Sequence, residues 1–202
     1  MTIKKGSEYG RLARLPLGSP VASSDAQLRS VVCGARSEFR LPITVGLLGG
    51  DLCRTLGGSG DASRLQTPEA LTVPVDLPIA VIDGSEYPFV AHLLIGRPFA
   101  KDFAAVMNAQ WLGPLDLGPR SHPGDGLVDV TTGSLPWAQR RLARRRAHSG
   151  THLPHPALEH RRSSHEHFIF SAPVPVQVDS VLHLTATEIV IRVEPDAFFV
   201  VV

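Results

Sequence analysis

The chain has 202 residues, a formal net charge of +1, 43% hydrophobic residues and 19% charged residues. This composition is typical of a globular domain and excludes a disordered chain, and the balanced charge gives no general attraction to nucleic acid. Arg dominates the basic residues, and seven Arg lie between residues 140 and 162. No uncharged apolar stretch reaches about 18 residues and the N-terminus lacks a signal-peptide core, so we expect a cytoplasmic protein without a spanning helix.

Elements are difficult to assign before residue 70. Gly and Pro interrupt residues 1–40, where only residues 26–32 could form a helix-to-strand step. Residues 41–48 predict a strand that ends at Gly49 and Gly50, and residues 51–56 have helical spacing with Asp51 as a candidate N-cap.

β signals dominate from residue 71 onward. Residues 73–82 and 86–95 flank Asp83-Gly84-Ser85, which predicts a hairpin. Residues 135–147 predict the one clear amphipathic helix, with Ser134 as N-cap and Gly150 ending it. Further short strands are predicted at residues 103–109, 127–132, 167–171, 174–178, 182–184, 188–193 and 198–202. Eight or nine short strands and one helix predict a β-sandwich-like domain.

The cysteines Cys33 and Cys53 lie in apolar surroundings. One disulfide between them is arithmetically possible. Two buried free thiols are the interpretation that suits a cytosolic protein.

Residues 106–130 form the most informative segment. It predicts two strands joined by a loop that places Asp125 among many backbone groups. Mg²⁺ favours a carboxylate, main-chain carbonyls and retained waters, so this loop could hold a hard cation. Alternatively, Asp125 simply forms a turn with the following glycine. Asn108 and Gln110 alternate on one strand face, toward either a cleft or solvent.

The same segment resembles the diacylglycerol kinase catalytic-domain family, which includes bacterial lipid kinases and their sphingosine and ceramide kinase relatives. In that family a strand-borne "N-x-Q/R-x-x-G-G" precedes "P-x-D-G-x-L-D-V" by about ten residues. Five other segments resemble family motifs in the expected order: residues 51–57, 73–96, 150–156, 176–179 and 191–197.

The resemblance implies a β-rich α+β fold: the C-terminal β-sandwich lobe of the NAD kinase/diacylglycerol kinase-like fold. Residues 1–58 would be a remnant of the N-terminal nucleotide-binding α/β part, and residues 59–202 the β-sandwich domain. The implied activity is transfer of a phosphoryl group from ATP to a diacylglycerol-type lipid hydroxyl, with Mg²⁺.

The resemblance also assigns roles to particular residues. The catalytic position would be Asp179. The nucleotide-binding positions would be Gly49, Gly50 and Asp51. The metal would be held by the Asp125 carboxylate with the carbonyls of His122 and Leu127.

The chain departs from the family at the positions that matter most for catalysis. The phosphate-binding Gly-Gly-Asp-Gly-Thr is absent, and its nearest candidate, residues 31–37, lacks the Asp and the second Gly. The family's Gly-Thr-Gly-Asn is Leu-Leu-Gly-Gly at residues 47–50. The family's Asp-Gly-Glu is Asp179-Ser180-Val181, and valine cannot accept a proton. Two alternatives therefore stay open: a non-catalytic lipid- or partner-binding relative, and a fragment of a longer reading frame.

Two surface features remain. Arg144, Arg145 and Arg146 on the predicted helix could face an anionic membrane or form a solvated basic face. We therefore expect a lipid substrate or a membrane surface as partner, with the protein peripheral at the membrane. A homodimer is also open, and nucleic acid is not expected. His152 and His155 have metal-like spacing, but the prolines around them predict a solvent-facing loop.

Overall fold

A computed structural model describes residues 10–101 and 103–202. It is 17% helical and 44% strand, which confirms the β-rich α+β class. The helices are α1 (Asp25–Ser37), α2 (Asp51–Thr55) and α3 (Trp137–Ala147), with one 3₁₀ turn at Arg64–Gln66. The strands are β1 (Arg11–Leu12), β2 (Val21–Ala22), β3 (Thr44–Leu47), β4 (Leu71–Ile82), β5 (Ser85–Pro88), β6 (His92–Ile95), β7 (Phe103–Met107), β8 (Trp111–Leu112), β9 (Leu115–Asp116), β10 (Val128–Gly133), β11 (Leu158–Ser163), β12 (His165–Val178) and β13 (Leu182–Val201).

Within this described part, eleven strands form one large curled sheet. Its main path runs β1-β4-β13-β12-β6-β7-β10-β11, and β8 and β9 form a separate small hairpin. Strand β3 pairs in parallel with β13, and β2 pairs in parallel with β3. The sheet therefore continues across the two predicted parts, residues 1–58 and 59–202, whose boundary stays a prediction.

The helix α1 replaces the helix-to-strand step predicted at residues 26–32, which was wrong. Ser24 caps the helix by accepting a hydrogen bond from the Gln27 amide, and Leu28 and Val32 are buried along its inner face. This face packs with residues of β3, β4 and β13, including Val45, in one apolar cluster. The apolar residues buried along one face stabilise α1 as a helix, although the residues on its other face are polar.

The curl of the sheet encloses a second apolar cluster. Leu93 and Ile95 of β6 point into it together with Val106 of β7, while Leu94 points to the opposite face. That opposite face is covered by α3, whose buried residues are Ala143 and Ala147. Strands β6 and β7 are thus buried on both sides and read as continuous apolar runs.

The predicted hairpin is confirmed in part. Ile82 pairs with Ser85, and the two residues between them have positive φ, which suits a two-residue turn matched to strand twist. The second strand ends at Pro88 as β5, whereas residues 92–95 form β6 and pair with β7 and β12. The chain bends at residues 89–91, so that β6 pairs with strands other than the partner of β5. The apolar pattern of the sequence alone did not reveal this bend.

The predicted helix at residues 135–147 is confirmed, but its N-cap is not. The helix begins at Trp137 with Pro136 in the cap position, and no side chain caps it. Both Cys33, half-buried, and Cys53, buried, are free thiols, as expected. None of the described helices has the length and apolarity needed to cross a membrane.

Candidate functional site

Two turns meet at one edge of the sheet. Because β2 and β3 are parallel, the turns that lead into α1 and α2 lie together at their carboxyl ends, where open α/β sheets bind ligands. The turns are closely packed: a Cβ on Gly49 would lie 2.6 Å from the Ser23 carbonyl oxygen. The predicted nucleotide-binding residues Gly49, Gly50 and Asp51 form the second of these turns.

Asp25 joins the two turns, and sequence reasoning missed it. Its Oδ2 accepts a hydrogen bond from the Asp51 amide at 2.6 Å, and its Oδ1 accepts one from the Leu52 amide at 3.1 Å. Burial raises the pKa of Asp25 to about 6, although these two amides oppose the shift. A Cβ on Gly50, where φ is +98°, would lie 2.5 Å from Asp25 Oδ1, so only glycine fits there.

The turn at residues 23–25 corrects the sequence analysis. Residues 31–37, the candidate for the phosphate-binding turn, lie inside α1, so that interpretation was wrong. The turn between the first strand and helix of this kind is instead Ser23-Ser24-Asp25, which joins β2 to α1 and has an acidic third residue. The signal was present in the sequence, since a Ser followed by Asp and then Leu28, Val32 and Ala35 marks a helix start.

Asp179, the predicted catalytic residue, lies fully buried in the turn after β12. Its carboxylate accepts hydrogen bonds from the amides of Val90 at 3.0 Å, Ala91 at 2.9 Å and His92 at 3.1 Å. Burial raises the pKa of Asp179 to about 7 against the opposing effect of these amides. The Arg29 Nε of α1 lies 3.7 Å from Asp179 Oδ2.

His92 connects Asp179 to Asp51. Its Nε2 lies 2.9 Å from Ser180 Oγ, and its Nδ1 lies 3.8 Å from Asp51 Oδ2. Burial lowers the pKa of His92 to about 4, so the ring is neutral at pH 7. We call Asp25, Asp51, His92 and Asp179 together the carboxylate cluster.

Asp51 is the most accessible acid of the carboxylate cluster. Its side chain is 18% exposed, and both of its oxygens lie 3.0 Å from the Gly113 amide in the β8–β9 hairpin. Burial raises the pKa of the Asp51 carboxyl. The same hairpin is held by Arg54, which stacks 3.4 Å from the Trp111 ring centroid and donates to the Gly113 carbonyl.

The expected metal residues lie in a separate turn. The Asp125 carboxylate accepts a hydrogen bond from the Leu127 amide at 3.1 Å, and the Gly124 amide donates to His122 Nδ1 at 3.4 Å. Arg162 pairs with Asp125 and also donates from Nε to Asp129 at 3.0 Å.

A cation at Asp125 would therefore have to displace a guanidinium that already neutralises the carboxylate. Among the described residues no group of three or more His, Cys, Asp or Glu side chains is arranged to hold a metal ion. The residues as placed do not favour Mg²⁺, and the metal site stays a prediction.

Asn108 links this turn to the carboxylate cluster. It is fully buried, so the prediction that it faces a cleft or solvent was wrong. Its amide nitrogen donates to the Val90 carbonyl at 2.9 Å and to the Asp76 carbonyl at 3.3 Å. Asp76 in turn accepts the Gly126 amide at 2.6 Å. The loop beneath Asp179 and the turn of Asp125 are thus fixed relative to each other.

His152 also differs from its prediction. It is buried against Phe99, with ring centroids 5.9 Å apart, and burial lowers its pKa to about 4. Arg144, Arg145 and Arg146 are exposed on α3 and belong to neither the carboxylate cluster nor the Asp125 turn. Whether they face a membrane stays a prediction.

Comparison with known proteins identifies the fold. No protein-family model and no curated protein matches the sequence. Many solved structures do match, and three of them, from Bacillus anthracis str. Sterne, are described as diacylglycerol kinases, two of them provisionally. The chain has a diacylglycerol kinase-like fold.

The sequence relationship to these three proteins is distant. Their TM-scores are 0.56, 0.64 and 0.58, at identities of 17%, 13% and 16%. The alignments cover 78%, 89% and 78% of this chain and 66%, 76% and 68% of the three kinases. The chain thus spans about two thirds to three quarters of their length.

Proposed function

We propose that this chain is a lipid-kinase-like protein that binds a lipid surface without transferring a phosphoryl group. The observation that carries this proposal is that side chains of the protein itself accept backbone amides in both turns, the one leading into α1 and the one leading into α2. The Asp25 carboxylate takes the amides of residues 51 and 52, which a phosphate would otherwise need. In the first turn, Gln27 Oε1 accepts the Ser23 amide, and Ser24 Oγ accepts the Gln27 amide.

The charge of the carboxylate cluster supports the same conclusion. Three carboxyl groups face the guanidinium groups of Arg29 and Arg54 and one neutral imidazole, so the cluster offers a triphosphate no surplus of positive charge. Phosphoryl transfer requires amides or cations around the phosphates and a carboxylate at the hydroxyl. Val181, which is 52% exposed, occupies the position where the resemblance calls for that carboxylate.

Phosphoryl transfer is the second candidate, and Asp51 favours it. Asp51 is partly accessible, has a pKa raised by burial and lies 3.8 Å from His92. A carboxylate with these properties could take the proton of an attacking hydroxyl.

A kinase assay separates the two candidates. Purified protein is incubated with ATP, Mg²⁺ and diacylglycerol in mixed micelles, and phosphatidic acid is measured alongside ATP binding by calorimetry. We expect neither product nor ATP binding. Phosphatidic acid formed by the wild type and lost in Asp51→Asn would reject the non-catalytic proposal. Asp61→Asn, at an exposed carboxylate, is the matched control and should change nothing.

A further inference from the structure

A basic groove lies on the side of the molecule covered by α3. It runs between the turn at residues 97–100 and the first half of α3 and has a volume of about 710 Å³. Its apolar walls come from Pro98, Phe99, Trp137 and Ala138, while the guanidinium groups of several Arg surround it. None of the carboxylate cluster residues lines it.

The helix that forms one wall carries only positive charge. Residues 137–147 contain five Arg and no acidic residue. Arg141 and Arg144 make no ion pair with any described residue, whereas Arg161 and Arg162 on β11 are paired with carboxylates. The exposed charges of α3 are therefore available to an anionic partner.

The arrangement along α3 is that of an interfacial helix. At 100° per residue, Trp137, Arg141 and Arg144 share one stripe, because they are separated by four and three positions. The stripe is exposed and runs beside the helix face of Ala143 and Ala147, which pack on the sheet. Trp137 is 84% exposed, an unusual position for so large an apolar ring in a free surface.

We propose that this groove and stripe dock onto a bilayer of anionic phospholipids, which deepens and rests on the proposed lipid-binding function. The Arg side chains hold lipid phosphates, and Trp137 enters the interfacial layer, where aromatic rings are favoured. A lipid offers both the phosphate and the apolar glycerol–acyl region that the groove's apolar walls fit. A nucleic acid offers only phosphates and base faces.

Vesicle flotation tests the docking surface. Vesicles of phosphatidylcholine with about 30% phosphatidylserine are compared with pure phosphatidylcholine, and we expect binding only to the anionic vesicles and weaker binding in high salt. Arg141→Glu with Arg144→Glu should weaken binding on the order of 30-fold or more, since each basic residue near an anionic surface contributes about 1 kcal/mol. The same charge reversal at Arg11 and Arg14, which are exposed elsewhere, is the matched control.

A second readout follows the tryptophan itself. In a Trp111→Phe background, Trp137 emission should shift to the blue on adding anionic vesicles, and Trp137→Ala should weaken flotation without changing the circular dichroism spectrum. Equal flotation of the α3 and control double variants, or binding to a single-stranded oligonucleotide but not to vesicles, would overturn the proposal. Phosphatidic acid formation in the kinase assay would instead reject the non-catalytic function and leave this surface standing.

Discussion

Replacing Asp179 by Asn should change how the stability of the protein depends on pH. Asp179 has a native pKa raised to about 7 from its ordinary 3.8. The native state therefore binds a proton more tightly than the unfolded chain does. This contribution to stability is complete below the unfolded pKa of 3.8 and is lost as the pH rises through about 7.

The size of the effect follows from the two pKa values. The unfolded carboxyl is ionised throughout the range from about pH 5.5 to about pH 8.5, whereas the native carboxyl changes from mostly protonated to ionised. Integrating over this range gives a loss of about 2 kcal/mol in the wild type that Asp179→Asn lacks. The variant also loses an acceptor for one of the three amides, a constant penalty of about 1–3 kcal/mol at every pH.

Urea unfolding followed by tryptophan fluorescence at several pH values measures this difference. The difference in the free energy of unfolding between wild type and variant should narrow by about 2 kcal/mol from about pH 5.5 to about pH 8.5, because only the wild type loses the contribution of the Asp179 proton. Contributions from the histidines cancel, because both proteins contain them. Parallel curves for the two proteins would refute the reasoning and show that the three amides keep Asp179 ionised despite its burial.

Two further predictions concern the turns. Gly50→Ala should destabilise the protein by about 2–4 kcal/mol, because the new Cβ overlaps the Asp25 carboxylate. Gly57→Ala, at a similar positive φ with open space around it, is the control and should cost only about 1 kcal/mol. Equal costs of the two variants in chemical denaturation would contradict the close contact between residue 50 and Asp25. Arg162→Ala should cost about 3–5 kcal/mol, because it removes the guanidinium paired with buried Asp129 and leaves that carboxylate only the His160 ring at 3.9 Å. Only in this variant should Mg²⁺ raise the melting temperature, because Asp125 also loses its guanidinium partner. A rise of equal size in the wild type would show that the guanidinium does not block the cation.

The elements that sequence reasoning predicted well are those with strong local signals. The Asp83-Gly84 turn needs two residues with positive φ, and this pair supplies them at little cost. The helix ending at Ala147 shows a short apolar stripe among Arg residues. Local chemistry decides such elements, so no knowledge of the sheet is needed.

The long strands β12 and β13 were predicted in pieces because of their prolines. The register of β12 shifts between Ile169 and Val174, and that of β13 shifts between Glu194 and Phe198, where Pro195 lies. A bulge tolerates a residue without an amide proton, so each strand continues past the break. Asp25 was missed for a different reason: its role depends on α2, which lies 26 residues further along the chain.

The acids of the carboxylate cluster hold distant parts of the chain together, so their presence alone does not indicate catalysis. Asp25 joins α1 to α2, Asp51 joins α2 to the β8–β9 hairpin, and Asp179 joins the β12 turn to the loop before β6. Removing Asp25 or Asp179 would leave buried amides without acceptors, at about 1–3 kcal/mol each, whereas the Gly113 amide bound by Asp51 is exposed. Stability alone can therefore retain Asp25 and Asp179 in a protein that transfers no phosphoryl group. Position 181 is more informative about catalysis, because its exposed side chain supports no other element, and there the chain carries a valine.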